Sequence, residues 1–421
     1  MKKTDYLYIG MDVHKETHTA VLMTYMEERI GEIEIQNNLK GFQRLTAYVE
    51  KCQKKEQHEK LTPLYGLEDV THFGRNLAIY LLGKSHIVKE VNSALSYMER
   101  MSYPTMKKND TWDAQCVCAV LMRRYEILPD ADPKDYYWTM KQLVHRRNAL
   151  VKMKSALLQQ FHDQIQYDYP SYKKFFTDME CKTSIAFFEQ YPSSRTLEDM
   201  TVEELAEFLR IPSHNACSTK RAEKILDLIE ADAVKERNYQ SGRDFIVQSM
   251  MRNIRYILEE LERIDKLQKK LLKEVGYQLE TLTGVNTVTA CALVGQIGDI
   301  SRFKSADKLA NYAGVAPICF SSAGKGKNVQ NKNQGNRELY SVLYLLAMQQ
   351  VHVNAKGQAR NLLLRAYFES KVSEGKTKIQ ALLCIMRRLV NIIYSMMKNK
   401  TAYRMPEIII SSTEEKEQMI S

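Results

Sequence analysis

Two long stretches constrain this chain more than anything else in it. "YYWTMKQLVHRRNALVKMKSALLQQFHDQIQ" starts at residue 136 and has no glycine or proline before Pro170. "GRDFIVQSMMRNIRYILEELERIDKLQKKLLKEVGYQLETL" starts at residue 242. Both place apolar residues three and four apart with charges between them, the signature of packed or coiled helices. Helices of this length bury only one face, so they need partners along their whole length. Between them, 171 to 240 holds shorter helices such as "TVEELAEFLRI" and "STKRAEKILDLIEAD". We read 136–277 as a helical scaffold with an insertion, and expect different architectures on either side.

Residues 1–135 read as α/β. "YLYIGMDVH", "THTAVLMTY" and "GEIEIQN" are three strands in hairpin spacing. "GFQRLTAYVEKCQKK" is a helix, "LTPLYGLED" a strand, "FGRNLAIYLLG" a helix and "HIVKEVN" a strand again. That order predicts a mixed sheet with helices packed on it. The region 278–400 is mostly helical. It opens with "LTGVNTVTACALVGQIGDISRF", which resembles a helix-hairpin-helix whose turn offers backbone N–H groups to a phosphate, although an ordinary helical hairpin accounts for it equally well. It closes with one more basic helix over 377–398. Residues 401–421 read as a frayed tail.

With 421 residues, the chain has room for two or three domains, and 44% apolar residues give it proper cores. Its net charge of +10 and pI near 9.0 suit a polyanionic partner, either nucleic acid or a membrane surface. Eight scattered cysteines suggest reduced thiols in a cytosolic protein, since C-x-C at 116 and 118 is no zinc pattern. Asp5, Asp12 and His14 interrupt any apolar leader, so no signal peptide is expected. No apolar run nears a membrane span, so no membrane partner is expected either.

The residues that carry chemistry are acids. Asp110 and Asp113 stand three apart behind a Lys-Lys-Asn turn, at the head of a helical pattern. Positions i and i+3 share a helix face. An N-cap followed by an acidic first turn would explain them alone. Asp12 ends the first strand and Glu68 a later one, each an ordinary place for a lone acid. Together, strand-end acids of one sheet and two acids on a packed helix make a pocket of like charge. Such a pocket needs a cation, and Mg²⁺, as one or two ions, is the usual solution. Asp69 is a rival for the role of Glu68. His14 and Lys15 are polar residues at a strand exit.

A second constellation lies in "GVAPICFSSAGKGKNVQNKNQGNRELY". No acid falls between Asp307 and Glu338, while Lys308, Lys325, Lys327, Lys332 and Arg337 do. Gly324, Gly326 and Gly335 would let the backbone approach a ligand. Ser321 and Ser322 precede the basic stretch. The reading is a phosphate-contacting loop with two hydroxyls. Its alternative is a solvated connection with Gly and Asn turns. The basic helix segment around Arg146 and Arg147 is a further candidate for backbone contacts with nucleic acid.

Asp12 in "GMDVHK", Glu68 in "GLEDV" and "KNDTWDA" resemble the D-E-D-D set of a RuvC-like, RNase H-like nuclease domain. More specifically, the chain resembles the insertion-sequence one-ten family of transposases, which includes the Piv-type DNA invertases. "LTGVNTVTACALVGQIGDISRFKSADKLANYAGVAP" with "SSAGKGK" and "GNRELYSVLYLLA" resembles that family's C-terminal serine transposase domain. The likeness covers roughly 1–120 and 278–365. Two departures stand out: "EDVTHFG" follows Glu68 where the family has Thr-Gly or Ser-Gly, and Ser-Gly is here Ser-Ala-Gly.

The resemblance implies a RuvC-like domain over 1–135 with Mg²⁺ on Asp12, Glu68, Asp110 and Asp113, and a serine transposase domain over 278–400. It implies a DNA recombinase that cuts and rejoins target and donor strands through a covalent phosphoserine, with Ser322 favoured over Ser321. It also implies a structured noncoding guide RNA, a homo-oligomer (dimer or tetramer) with composite sites, and a cytoplasmic protein of a prokaryote, nucleoid-associated when active. A serine hydroxyl needs an activating base or metal. Two other functions stay open: a junction-resolving metal nuclease that uses water, and an inactive nucleic-acid-binding scaffold.

Overall fold

The computed structural model describes residues 2–55, 58–68, 72–103, 109–131, 133–322, 325–330 and 335–405. The chain divides into two compact units, Met1–Gln142 with Leu271–Ser421, and Leu143–Lys270.

The first unit begins with strands β1 (Tyr6–Val13), β2 (Thr17–Met23) and β3 (Arg29–Gln36), then helix α1 (Leu39–Lys55) and strand β4 (Thr62–Leu67). Helix α2 (Arg75–Gly83), strand β5 (Ile87–Glu90) and helices α3 (Ser93–Met101) and α4 (Asp110–Arg124) follow. The sheet runs β3-β2-β1-β4-β5, with β1 to β3 antiparallel and β4 and β5 parallel to β1. This is the expected mixed sheet, with all five strands found where the sequence placed them.

Every residue of β1 is buried because both sheet faces are covered. Side chains alternate along a strand, so Leu7, Ile9 and Met11 enter the core formed with α1 and α2. Tyr6 and Tyr8 enter the opposite core, formed with Ala114, Val117, Cys118 and Leu121 of α4. Asp12 shares the parity of Tyr6 and Tyr8, which puts it on the α4 side.

Long helices α5 (Asp135–Ile165) and α9 (Gln240–Val275) enclose the shorter α6 (Lys182–Gln190), α7 (Val202–Arg210) and α8 (Thr219–Asp232) in sequence. The second unit has its own core, rich in aromatic rings: Phe161, Tyr169, Phe175, Phe187 and Phe188 are fully buried. In the same unit, Leu150 packs with Ile257, Leu261 and Ile264 in the expected helix-on-helix manner.

The first unit is completed by α10 (Thr287–Ile297), α11 (Ala306–Tyr312), strands β6 (Pro317–Ser322) and β7 (Lys325–Gln330), α12 (Arg337–Val351), α13 (Leu362–Ser373) and α14 (Lys378–Asn399). Three features depart from the sequence reading. The turn before α10 follows a short 3-10 segment, Leu279–Thr281, rather than a full helix. The serine stretch is not a loop, since β6 and β7 pair as an antiparallel hairpin. And α14 is long and apolar enough, by length and composition, to cross a membrane. Its apolar residues, including Ile385, Leu389 and Ile393, are nevertheless buried, and it packs on α11, α12 and α13. Arg387 pairs with Asp307, and Arg388 lies over the Tyr367 ring. The described cysteines are all free thiols.

Candidate functional site

The parallel register of β1 and β4 pairs Met11 with Leu67. Glu68, the next residue, therefore emerges beside Asp12, at a strand spacing of about 4.8 Å. Helix α4 comes from the other direction. Asn109 caps it, its side chain accepting from the Trp112 N–H at 2.7 Å. The cap fixes where the first turn begins, and that turn carries Asp110, which is exposed, and Asp113, which is buried. Gly10 lets α4 lie unusually close on β1: a Cβ there would come 2.3 Å from the Ala114 carbonyl oxygen and 2.4 Å from the Cys118 nitrogen.

The four predicted acids thus share one neighbourhood. Asp12 registers all of them: its carboxyl is pushed up to about 6, first by burial and then by Asp113, Glu68 and Asp110, with His14 pulling it down. His14 Nε2 lies 3.1 Å from Asp12 Oδ2 and 3.8 Å from Asp110 Oδ1. Asp12, His14 and Asp110 offer ligand atoms within 4.8 Å of one another. Asp12 Oδ2 and Asp113 Oδ1 are both buried without a hydrogen bond among the described residues. Each meets one ion-pair partner, His14 and Arg100 respectively, so their hydrogen-bonding capacity is only partly met, and a bound cation would complete it. An oxygen-rich set with two such atoms fits a hard divalent metal.

Helix α3 was not foreseen, and it holds two of the acids. The fully buried Ser96 hydroxyl donates to Glu68 Oε2 at 2.9 Å. One turn later, Arg100 Nη1 lies 3.0 Å from Asp113 Oδ1. Positions i and i+4 face the same way, so a single helix face serves both carboxylates. Glu99 receives both 2.7 Å hydrogen bonds from Arg123 of α4, locking the two helices together. The sequence signal was modest: Asn92, whose side chain caps Ala94, opens "SALSYMERM". His14 was also underrated, because its value depends on Asp110 being adjacent. Asp69 lies outside the described residues.

The serines sit at the end of β6, with Ser321 opposite Gly326 and Ser322 opposite Lys325. The root of this hairpin is closed tightly. Gly335, at φ +101°, packs where a Cβ would come 2.5 Å from Gly314 Cα. The absence of a Cβ here lets the two chain segments meet. Beside it, the Asn336 N–H donates to the Tyr312 carbonyl at 2.6 Å. The Asn336 amide donates to Gln296 Oε1 and to the Tyr312 hydroxyl, both at 3.1 Å, and its oxygen caps α12 through the Leu339 N–H.

Among the predicted phosphate contacts, Lys325 and Lys327 fall on β7 and Arg337 is the exposed first residue of α12. Lys332 lies outside the described residues. Arg146 is exposed on α5, whereas Arg147 is held by Asp265 at 2.6 Å within the second unit. Arg147 therefore already has an anionic partner.

Residues 9–170 match the family profile of DEDD-type IS110 transposases, and residues 276–362 match the profile of the IS116/IS110/IS902 transposase family. The four acids fall in the first span and both serines in the second. An insertion element IS116 protein of Streptomyces clavuligerus is 22% identical over 416 residues, 95% of this chain and 96% of that one. An insertion element IS900 protein of Mycobacterium paratuberculosis is 21% identical over 312 residues, 72% of this chain and 74% of that one. The pilin gene-inverting protein of Moraxella lacunata is 29% identical over 181 residues, 40% of this chain and 53% of that one.

Proposed function

The chain belongs to the IS116/IS110/IS902 family of transposases, and from that premise we propose that it is the recombinase of a mobile element that cuts and rejoins DNA through a phosphoserine intermediate. The observation that carries this reading is the convergence of Asp12, Glu68, Asp110 and Asp113, with two buried carboxylate oxygens lacking hydrogen bonds. The sheet order and the acids at its strand ends support an RNase H-like, RuvC-like first domain.

Asp12, Glu68, Asp110 and Asp113 would hold Mg²⁺, as one or two ions, with His14 at the rim. When bound, such an ion supplies Lewis-acid stabilisation of phosphate oxygens. The chain's own groups do the rest. Ser96 and Arg100 fix the orientations of Glu68 and Asp113. The serine hydroxyl, Ser322 or its neighbour Ser321, attacks the phosphodiester phosphorus. A serine O–P bond forms, the bond to one deoxyribose oxygen breaks, and that oxygen leaves as a hydroxyl after taking a proton. Attack by a second strand's hydroxyl reverses these changes, restores the serine and joins the new strand. Lys325, Lys327, Lys332, Arg337 and Arg146 supply positive charge to the strands.

A structured guide RNA and a homo-oligomer, with the acids of one subunit serving the serine of another, complete the proposal. The excess of basic residues suits both nucleic acids, and α5 and α9 suit a subunit scaffold. The site of action is the nucleoid in the cytoplasm.

The test uses purified protein, RNA transcribed from the gene's flanks, and labelled DNA spanning the element's end, with Mg²⁺. A protein–DNA adduct that survives denaturation is expected, and is lost in either Ser321→Ala or Ser322→Ala. Cutting without an adduct in wild type and both variants would instead make water the nucleophile and the protein a junction nuclease.

A further inference from the structure

Beyond the acid site, the first unit encloses a cavity of about 460 Å³. One wall comes from the end of β5, the start of α3 and the segment that follows α4. The other comes from residues 301–316 and Gly335. Pockets for small ligands span roughly 300–1,000 Å³, so this one has room for a single nucleotide and none for a duplex.

The charges lining it are unbalanced. Lys89 is paired with Asp130, and Arg302 Nη1 contacts Glu90 at 3.4 Å. These pairs neutralise each other within the wall. Arg124, Lys304 and Lys308 also line the cavity and make no ion pair or side-chain hydrogen bond among the described residues, leaving only Glu126 to oppose them. Three converging cations repel one another, and a polyanion offsets that cost. The uncharged lining mixes polar residues such as Asn92 and Asn311 with an apolar part made by Leu95, Phe303 and Ile127, which is 54% exposed at the lip. Cations beside an apolar wall match the two halves of a nucleotide, phosphate on one side and base or sugar on the other.

Resting on the transposase reading, we propose that this cavity grips one unstacked nucleotide of a polynucleotide strand. The phosphate lies against Arg124, Lys304 and Lys308, and the base or sugar against Leu95, Ile127 and Phe303. The grip is separate from the acids: fifteen residues of α4 place Arg124 roughly 20 Å from Asp110. It adjoins the hairpin instead, because Gly314, Ala316 and Gly335 of the hairpin root also line it. A strand held here is anchored at the base of the element that carries Ser321 and Ser322. DNA and RNA share this chemistry, and the experiment separates them.

The experiment measures binding of the full chain to a labelled single-stranded 20-mer, as DNA and as RNA of the same sequence, across a salt series. A second copy of each strand carries 4-thiothymidine or 4-thiouridine for photocrosslinking. Crosslinks are expected in peptides covering 124–130 and 301–316. Lys304→Gln with Lys308→Gln should weaken binding and lower the salt slope by about 1.4, at 0.7 per lost phosphate contact on a single strand. Ile127→Trp, which narrows the lip, should reduce crosslinking. Lys60→Gln with Lys84→Gln, two exposed lysines outside the cavity, is the matched control. A larger effect with one sugar type identifies the strand as DNA or RNA. The inference is overturned if wild type binds but crosslinks fall elsewhere, or if the cavity variants behave like the control. If wild type binds neither strand, the inference is overturned on its own, whereas the transposase reading is judged separately by the covalent adduct on element-end DNA.

Discussion

Gly10 of β1 and Ala114 of α4 approach so closely that a single methyl group on Gly10 would sit 2.3 Å from the Ala114 carbonyl oxygen. This contact sets the height of α4 above the sheet, and with it the distance from Asp110 and Asp113 to Asp12. Gly10→Ala has no flexible neighbour to displace, because the nearest atoms are backbone. The helix must rise. We expect a loss of about 1–3 kcal/mol in stability, as for overpacking generally. We also expect loss of the Mg²⁺-dependent rise in melting temperature. Thermal melts with and without Mg²⁺ measure both. A Gly10→Ala protein that keeps the full Mg²⁺ shift would show that α4 placement does not control the site.

Asp12 gives a prediction with a definite sign. Its carboxyl is held at about 6 in the fold, above the ordinary value of 3.8. A raised acid favours the fold while protonated. That contribution is complete below about pH 4 and is lost as pH rises through 6. At pH 7.5 the metal-free protein therefore carries a buried charge that His14 only partly offsets, costing on the order of 2 kcal/mol. Asp12→Asn should melt higher than wild type at pH 7.5 without metal, and should gain nothing from Mg²⁺. Near pH 4 the two proteins should melt alike. Calorimetry at the two pH values, with and without Mg²⁺, reads all of this. Equal melting temperatures at pH 7.5 without metal would count against it.

Much of this site was legible before the fold. The hairpin spacing of β1, β2 and β3 and the N-cap ahead of the acidic first turn of α4 are local signals, and each placed its element correctly. The pairing of Asp12 with Glu68 followed from strand ends of one sheet. His14 and α3 were harder to see, because their importance is relational. His14 is an ordinary strand-exit residue until α4 brings Asp110 to 3.8 Å. Ser96 is an ordinary helix serine until β4 delivers Glu68. The hairpin β6–β7 was read as a loop because its glycines and lysines have poor strand propensity, and pairing across the turn outweighs that. The contact of Gly335 with Gly314 was not legible, because the two are twenty-one positions apart and no local pattern links them.

Helix α3 should separate two effects on metal binding. Ser96→Ala removes the only described side-chain donor to Glu68, so Glu68 loses its fixed orientation. Weaker Mg²⁺ or Mn²⁺ binding, by several-fold, is expected, with about 1 kcal/mol of stability lost. Arg100→Gln removes a cation that faces Asp113. The metal-free protein should be less stable, while the added metal should raise the melting temperature by more than in wild type, since the ion no longer competes with a guanidinium. Calorimetric titration gives the affinities. Trp112, one residue before Asp113 and packed at 4.7 Å on Tyr103, offers an independent fluorescence signal. Identical metal affinity in wild type and both variants would assign α3 a purely structural role.

The hairpin root allows the two halves of the chemistry to be uncoupled. Gly335 lies at φ +101°, a conformation strained for any residue with a Cβ, and that Cβ would also strike Gly314. Gly335→Ala must therefore open the closure between Gly314 and Gly335. The Asn336 hydrogen bonds to Gln296 and Tyr312, immediately alongside, would be pulled out of line. None of these groups touches Asp12, Glu68, Asp110 or Asp113. Gly335→Ala should keep the wild-type Mg²⁺ shift in melting temperature while losing nearly all covalent adduct with DNA. Gly314→Ala, acting on the same contact from the other side, should repeat the pattern. If either variant forms adduct at the wild-type rate, the hairpin does not depend on its root to present a serine. If either loses its Mg²⁺ shift as well, the acid site and the hairpin form one cooperative structure.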